Sequence, residues 1–287
     1  MDYGKIWIDG HVHEYADAVV GPMSHSLSYA SSVYEGIRAY RAKPLLLDLH
    51  LARLRKSCEI FGLRFPYTDT EIGVACAQLM QMHSVADAYI KIQVILDDSG
   101  YGFQGKECKS KCYIFVHEKP KFPHAMAWRL SVASWRRPSC TCHPYEAKTA
   151  STYALSYLSF RSRTDGADDV LFLDERDRVC ESAGANIFFL KAGHLVTPTT
   201  RTCLAGITRK VVLEEIAPSL GLTSEVRDIS IHEISSFDSA FICGTAVEIK
   251  PIRQIEEVLF SSTGLVDDVS SAYQRIANGI REVTIEA

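Results

Sequence analysis

Lys148 lies in the run His143-Pro144-Tyr145-Glu146-Ala147-Lys148-Thr149-Ala150, and Glu181 in Val179-Cys180-Glu181-Ser182-Ala183-Gly184-Ala185-Asn186-Ile187-Phe188-Phe189. These two residue types can serve one cofactor. A lysine amine condenses with the aldehyde of pyridoxal 5'-phosphate (PLP), and a carboxylate beneath the ring keeps the pyridine nitrogen protonated, so that the ring acts as an electron sink. Each residue alone has a plainer explanation. A lysine is most often a solvated surface group, and Glu181 reads equally as a surface acid on a hairpin. If Glu181 is interior it needs a partner, because an unpaired buried charge is costly. The pyridinium is the partner expected here.

Two further segments, Leu204-Ala205-Gly206-Ile207-Thr208-Arg209 and Cys243-Gly244-Thr245-Ala246-Val247-Glu248, each set a glycine and a threonine at a corner between elements. Such corners suit a phosphate: glycine admits the backbone closely, and N–H groups and a hydroxyl donate to the anion. Together with Tyr29-Ala30-Ser31-Ser32-Val33-Tyr34-Glu35-Gly36-Ile37-Arg38, these motifs make the chain resemble the fold-type IV PLP enzymes over nearly its whole length. Within them it is most similar to the branched-chain-amino-acid aminotransferases.

The resemblance implies an α/β (α+β) fold of the aminotransferase class IV, D-amino-acid-aminotransferase-like kind, with two domains and PLP in the cleft between them. It also assigns roles. Lys148, in Lys148-Thr149-Ala150-Ser151-Thr152-Tyr153, matches the cofactor lysine, and Tyr153 the tyrosine that hydrogen-bonds the ring's phenolic oxygen. Arg53, selected by His50-Leu51-Ala52-Arg53-Leu54, matches the phosphate arginine, with Ile207, Thr208 and Thr245 completing the phosphate cup. Tyr29, Tyr34, Gly36 and Arg38 match the substrate pocket, Tyr29 from across a dimer interface, and Thr245-Ala246 match the turn that holds the α-carboxylate.

One substrate position departs from the family. Ala88-Tyr89-Ile90 is followed by Lys91 where an arginine is usual. Arginine presents a planar fork to the distal carboxylate of glutamate, whereas lysine presents one flexible point charge. The expected reaction is amino-group exchange between branched-chain or other hydrophobic L-amino acids and 2-oxoglutarate, by a homodimer or an assembly of dimers. D-amino-acid or amine transaminases and aminodeoxychorismate lyase share the scaffold and remain alternatives, against which Tyr34-Glu35-Gly36-Ile37-Arg38 favours the branched-chain group.

The elements that must carry these residues follow from composition and pattern. With 287 residues, 47% of them hydrophobic, the chain can bury a substantial core in one large or two ordinary domains. A net charge of −4 with no basic block offers no footprint for nucleic acid or an anionic membrane, which leaves small molecules and further copies of the chain as partners. The N-terminus shows no secretory pattern and no apolar run is long enough to span a bilayer, so a cytoplasmic location is expected. Nine scattered cysteines, an odd count, suit a reduced compartment. Cys108 with Cys112, and Cys140 and Cys142 with His143, match no paired zinc knuckle, so no metal is expected.

Lys5–Val12 reads as a strand turning into a hairpin, and Asp48 as the N-cap of a helix running to Phe61 and closed by Gly62. A second helix is expected over 69–83, and strands over 89–96 and 112–116. The proline-bearing stretch 119–127 is the predicted linker between a domain of residues 1–118 and a domain of residues 128–287 that carries Lys148. The latter should hold a strand over 128–134, a helix from about 149 to 163, a meander through 170–196, and a helix beginning near Gly206 and stopping at Gly221. The Rossmann and P-loop glycine patterns are absent.

Overall fold

In the computed structural model, residues 4–97, 102–105, 108–120, 126–163, 166–261 and 264–279 are described. They form two compact units: the described residues of Met1–Lys121 with Glu146–Thr152, and those of Phe122–Tyr145 with Tyr153–Glu286. Within the predicted linker, residues 121–125 lie outside the described residues.

The first unit is built on strands β1 (Lys5–Ile8), β2 (His11–Glu14), β3 (Ser32–Tyr40), β4 (Lys43–Pro44), β5 (Ala88–Leu96) and β6 (Ser110–Glu118), in the sheet order β2-β1-β6-β5-β3-β4. Every pairing is antiparallel. A short helix, α1 (His25–Tyr29), precedes β3, and α2 (Leu47–Phe61) and α3 (Asp69–Met82) follow β4. Alternation along the strands divides the sheet. Val33, Ile37, Ile90, Ile92, Val94 and Ile114 share a core with Leu51 and Leu54 of α2 and Ile72 and Leu79 of α3. The register puts Tyr34, Gly36 and Arg38 opposite Gln93, Lys91 and Tyr89 on the other face.

Helix ends show where local signals succeed. Thr68 and Glu71 form a reciprocal capping box on α3, and Gly62 closes α2 in the left-handed conformation, φ 65°. Asp48 is not the cap of α2. It lies inside the first turn, after Leu46 at φ 52°, and its carboxylate acts there on the helix dipole instead.

The second unit holds β7 (Trp128–Val132), β8 (Asp169–Leu173), β9 (Val179–Ser182), β10 (Asn186–Lys191), β11 (His194–Thr197), β12 (Thr223–Val226), β13 (Ser239–Gly244), β14 (Glu248–Ile255) and β15 (Val258–Leu259). Eight of them run in the order β12-β11-β10-β13-β14-β7-β8-β9, and β15 pairs with β14. β7 is parallel to both neighbours, which requires long connections on each side. One core joins Leu130, Leu171, Ile187, Phe189, Ile242 and Ile252 to Ile234 and Phe237. Helix α4 (Tyr153–Arg161) follows a 3-10 turn at Ala150–Thr152, so the single helix expected over 149–163 is divided. The helix after Gly206 runs as α5 (Ile207–Val211), a π turn (Val212–Ile216) and α6 (Ala217–Ser219); Pro218 interrupts the regular bonding there because it has no N–H. The chain's last described helix is α7 (Gly264–Ala277). Among the described residues no helix is long and apolar enough to cross a membrane.

The segment carrying Lys148, expected in the second domain, belongs to the first unit. Val33 and Thr149 form an antiparallel bridge, and Thr149 Oγ1 donates to Ser32 O at 2.9 Å. A pairing across more than a hundred residues leaves no local pattern in the sequence.

Candidate active site

Lys148 is held by its backbone at the edge of β3. Tyr34 N donates to Lys148 O at 3.0 Å, and Lys148 N donates to Ser57 Oγ of α2 at 3.0 Å. The Ser57 hydroxyl donates in turn to Arg53 O at 2.9 Å. Lys148 Nζ stands 4.7 Å from the centroid of the Tyr34 ring, and Lys91 Nζ 5.1 Å from the same centroid. The structure therefore brings together Tyr34, Lys91 and Lys148, all half-buried.

Gly36 and Arg38 continue that face of β3. A Cβ on Gly36 would stand 1.9 Å from Tyr89 Oη, so the glycine is what lets the Tyr89 ring lie across the strand. Arg38 is buried, its guanidinium 5.1 Å from the Tyr40 ring centroid. Tyr29 stands apart on α1, half-exposed and packed on His25 with ring centroids 4.7 Å apart.

Arg53 points to the core side of β3, where its Nε and Nη2 donate to the two oxygens of Glu35 at 2.6 and 2.8 Å. His50 Nδ1 donates to Glu35 Oε2 at 2.7 Å. Burial pushes the Glu35 carboxyl up, but Arg53 and then His50 outweigh it and hold it down at about 2. Burial also pushes the His50 imidazole below its ordinary value, opposed by Glu35. The Nε–Nη2 edge of Arg53 is thus turned to Glu35.

In the second unit Glu181 is buried on β9 and already has a cationic partner: Arg137 Nη2 lies 3.1 Å from Glu181 Oε1. The need for a counter-charge, assigned above to the pyridinium, is met within the protein. Leu204 N donates to Glu181 Oε2 at 3.4 Å, and Asn186 Nδ2 donates to Leu204 O at 2.8 Å. A Cβ on Gly206 would come within 2.1 Å of Asn186 Oδ1, so only glycine leaves room for this clasp. The Leu204–Thr208 corner is thereby fastened to Glu181. Ile207 and Thr208, both buried, open α5, and their N–H groups have no acceptor within the helix.

Thr245 and Ala246 lie in the turn joining β13 to β14. The following residue but one, Glu248, is buried at φ 58°, a left-handed conformation uncommon for a side chain of this size. Gln274 Nε2 of α7 donates to its Oε2 at 2.6 Å and fixes the turn's exit. Tyr153, half-buried at the start of α4, lies beside Gly184, with Cε1 3.7 Å from where a Cβ would stand.

Sequence reasoning missed Glu35, His50, Ser57, Arg137 and Asn186 as supports. Glu35 and His50 sit inside quoted motifs, and a carboxylate between two apolar core positions, Val33 and Ile37, is a detectable oddity. Nothing local marks Arg137 or Ser57. No group of three or more His, Cys, Asp or Glu side chains among the described residues is arranged to hold a metal ion. Burial pushes the thiols of Cys58, Cys76, Cys180 and Cys243 up to about 12, which makes them unreactive core residues.

A mixed α/β chain with a clamped lysine in one unit and a braced glutamate beside a phosphate-type corner in the other defines a class of candidate enzyme. Comparison with known proteins specifies it. The profile for amino-transferase class IV matches residues 32–255, from the start of β3 to the end of β14. The chain belongs to that family. A probable branched-chain-amino-acid aminotransferase of Rickettsia bellii is 34% identical over 281 residues, 96% of each chain. The branched-chain aminotransferase of Thermoproteus uzoniensis, solved with norvaline, superimposes with a TM-score of 0.91 at 31% identity, covering 97% of this chain and 96% of the other. That of Thermobaculum terrenum in its PLP form gives 0.88 at 25% identity, covering 96% and 94%.

Proposed function

We propose that the chain exchanges amino groups between branched-chain or other hydrophobic L-amino acids and 2-oxoglutarate, with PLP as cofactor, as a homodimer in the cytoplasm. The observation that carries this reading is Lys148, an amine whose backbone is fastened on both sides to β3 and α2 while its Nζ rests at the Tyr34 ring. The donor set fits the cofactor: an amine for the aldehyde, a carboxylate for the ring nitrogen, and a guanidinium with helix-opening N–H groups for the phosphate. Gly206 lets Asn186 fasten the Leu204–Thr208 corner that presents those N–H groups.

When bound, PLP supplies the electron sink that takes up the charge left on the substrate Cα. Lys148 Nζ would hold the cofactor through its aldehyde carbon and, once displaced there by the substrate amine, would be the group that carries the α-proton. Glu181 holds a proton on the ring nitrogen, and the Tyr153 hydroxyl donates to the ring's phenolic oxygen. Arg53, Ile207, Thr208 and Thr245 bind the phosphate, since several donors are needed to replace the water around a dianion. The N–H groups of Thr245 and Ala246 hold the α-carboxylate. Tyr34, Gly36 and Arg38 line the side-chain pocket, Lys91 faces the distal carboxylate of the acceptor, and half-exposed Tyr29 completes the pocket of a second copy. The relatives' names support the branched-chain class.

Borohydride reduction of the holoenzyme tests the central assignment. The phosphopyridoxyl group should appear on the peptide containing Lys148, and its recovery on any other lysine refutes the assignment. A panel of amino donors and keto acids, read by chiral chromatography, should give L-leucine, L-isoleucine and L-valine as donors; D-products or pyruvate release would point to the alternatives on this scaffold.

A further inference from the structure

We infer that Arg137 is a positioning residue that keeps Glu181 ionised and aimed before the cofactor arrives. The inference rests on the assignment of Glu181 to the ring nitrogen. Glu181 and Arg137 meet at 3.1 Å with side chains only 7% and 1% exposed. A carboxylate at that depth without a cation takes up a proton, and a protonated acid in the empty site is the wrong form to receive a protonated ring.

Arg137 is itself held from several directions. Its guanidinium carbon lies 3.9 Å from the Phe172 ring centroid on β8, and its backbone N donates to Leu173 O at 2.9 Å. Nη2 also donates to Ser156 Oγ of α4 at 3.2 Å, and that hydroxyl donates to Ala183 O at 2.8 Å. Ala183 follows Glu181 by two residues, so the arginine grips both the carboxylate and, through Ser156, the turn beyond it. The two carboxylate oxygens have separate directions: Oε1 faces Arg137, and Oε2 accepts from Leu204 N in the Gly206 corner. Arg137 thus supplies a buried positive charge at Oε1 while the Leu204 N–H steadies Oε2.

Proton counting tests this. In wild type the empty site holds Glu181 as the anion, and PLP with its ring nitrogen protonated binds with no change at Glu181. In Arg137→Met the empty site holds the neutral acid, so binding the same form of PLP expels that proton to solvent. Indicator dye in weak buffer should report about one proton more per site for Arg137→Met than for wild type. Its PLP affinity, relative to wild type, should rise roughly tenfold per pH unit where Glu181 is protonated. Arg137→Lys should restore the wild-type proton count with weaker PLP retention, because the charge remains and the planar fork is lost. Arg137→Met with Glu181→Gln should show no extra proton.

The infrared band of a protonated carboxyl in the apoprotein reads the same event without the ring. It should appear in Arg137→Met and be absent from wild type and the double variant. If Arg137→Met does not fold, Arg137→Gln is measured in the same way. Wild-type proton release together with no new infrared band overturns the role of Arg137. A new band, combined with an unchanged bound-PLP spectrum in Glu181→Gln, instead overturns the assignment of Glu181 to the ring and leaves the role of Arg137 toward Glu181 standing.

Discussion

Glu35 in the first unit and Glu181 in the second are both buried carboxylates paired with an arginine, yet the pairs are built in opposite senses. The Arg53 side chain is 14% exposed and that of Glu35 is 0% exposed; here the acid is the anchor and the guanidinium the more accessible partner. The Arg137 side chain is 1% exposed and that of Glu181 is 7% exposed; here the arginine is the anchor and the acid is the more accessible partner. Glu35 has three donors at 2.6 to 2.8 Å, whereas Glu181 has longer contacts, 3.1 Å to Arg137 and 3.4 Å to Leu204 N. Short contacts from three donors make Glu35 a structural anchor. In the first unit the acid is the more buried member of the pair, and in the second the arginine is.

The comparison can be broken most forcefully at Glu35. Glu35→Ala strands Arg53 and His50 beside a buried gap, and removing one member of a buried pair costs about 3–5 kcal/mol. Urea unfolding should report a loss of that size. Glu35→Ala destabilising no more than Glu181→Ala would erase the distinction between anchor and ligand group.

Acid should weaken the first pair next. The folded-state values of both Glu35 and His50 are lowered, so each contributes stability that is present above its ordinary value and lost as pH falls. Decline should begin below about 6.5 as unfolded His50 takes up protons, then steepen between about 4.5 and about 2 through Glu35. The Glu35 part is of order 3 kcal/mol, from 1.36 kcal/mol per pH unit. Glu35→Gln should flatten the lower stretch of the profile, and an unchanged profile would place the acid sensitivity elsewhere.

At the second pair the expected effect is on rate. Glu181→Gln should fold and bind PLP but run each half-reaction on the order of 10²-fold more slowly, about 2.7 kcal/mol of barrier, because an amide cannot hold the ring nitrogen protonated. Rapid-mixing absorbance measures this, and wild-type half-reaction rates would remove Glu181 from the chemistry.

The smallest effect concerns Lys91, which shares the Tyr34 ring with Lys148. Lys91→Ala should weaken glutamate and 2-oxoglutarate by about 1.5 kcal/mol, roughly tenfold in kcat/KM, and leave leucine nearly unchanged. Lys91→Arg should improve 2-oxoglutarate. Equal losses for leucine and glutamate would mean that Lys91 supports the Tyr34 and Lys148 arrangement rather than the acceptor.

Short-range physics was legible in the chain. The Gly62 stop, the 69–83 helix, the strands over 89–96 and 112–116 and the 170–196 meander follow from neighbours a few residues apart, where periodicity and capping act; β3 (Ser32–Tyr40) was not read as a strand. The motifs around Lys148, Glu181, Gly206 and Thr245 were legible for the same reason, since each is a compact run whose residue types fit one chemistry. Asp48 shows the limit: a good capping residue lost its place because Leu46 turned left-handed one residue before the helix.

What only the tertiary structure decided is who partners whom. Lys148 pairs with β3 from more than a hundred residues away, Ser57 links it to Arg53, and Arg53 reaches back to Glu35. Arg137 finds Glu181 across a strand and a helix. Sequence spacing carries no record of such contacts, because hydrogen bonds and charge pairs act over a few ångströms in space whatever the separation along the chain. The sequence determined which groups were available; folding determined that Glu35 holds a cation in place and that Arg137 does the same for an anion.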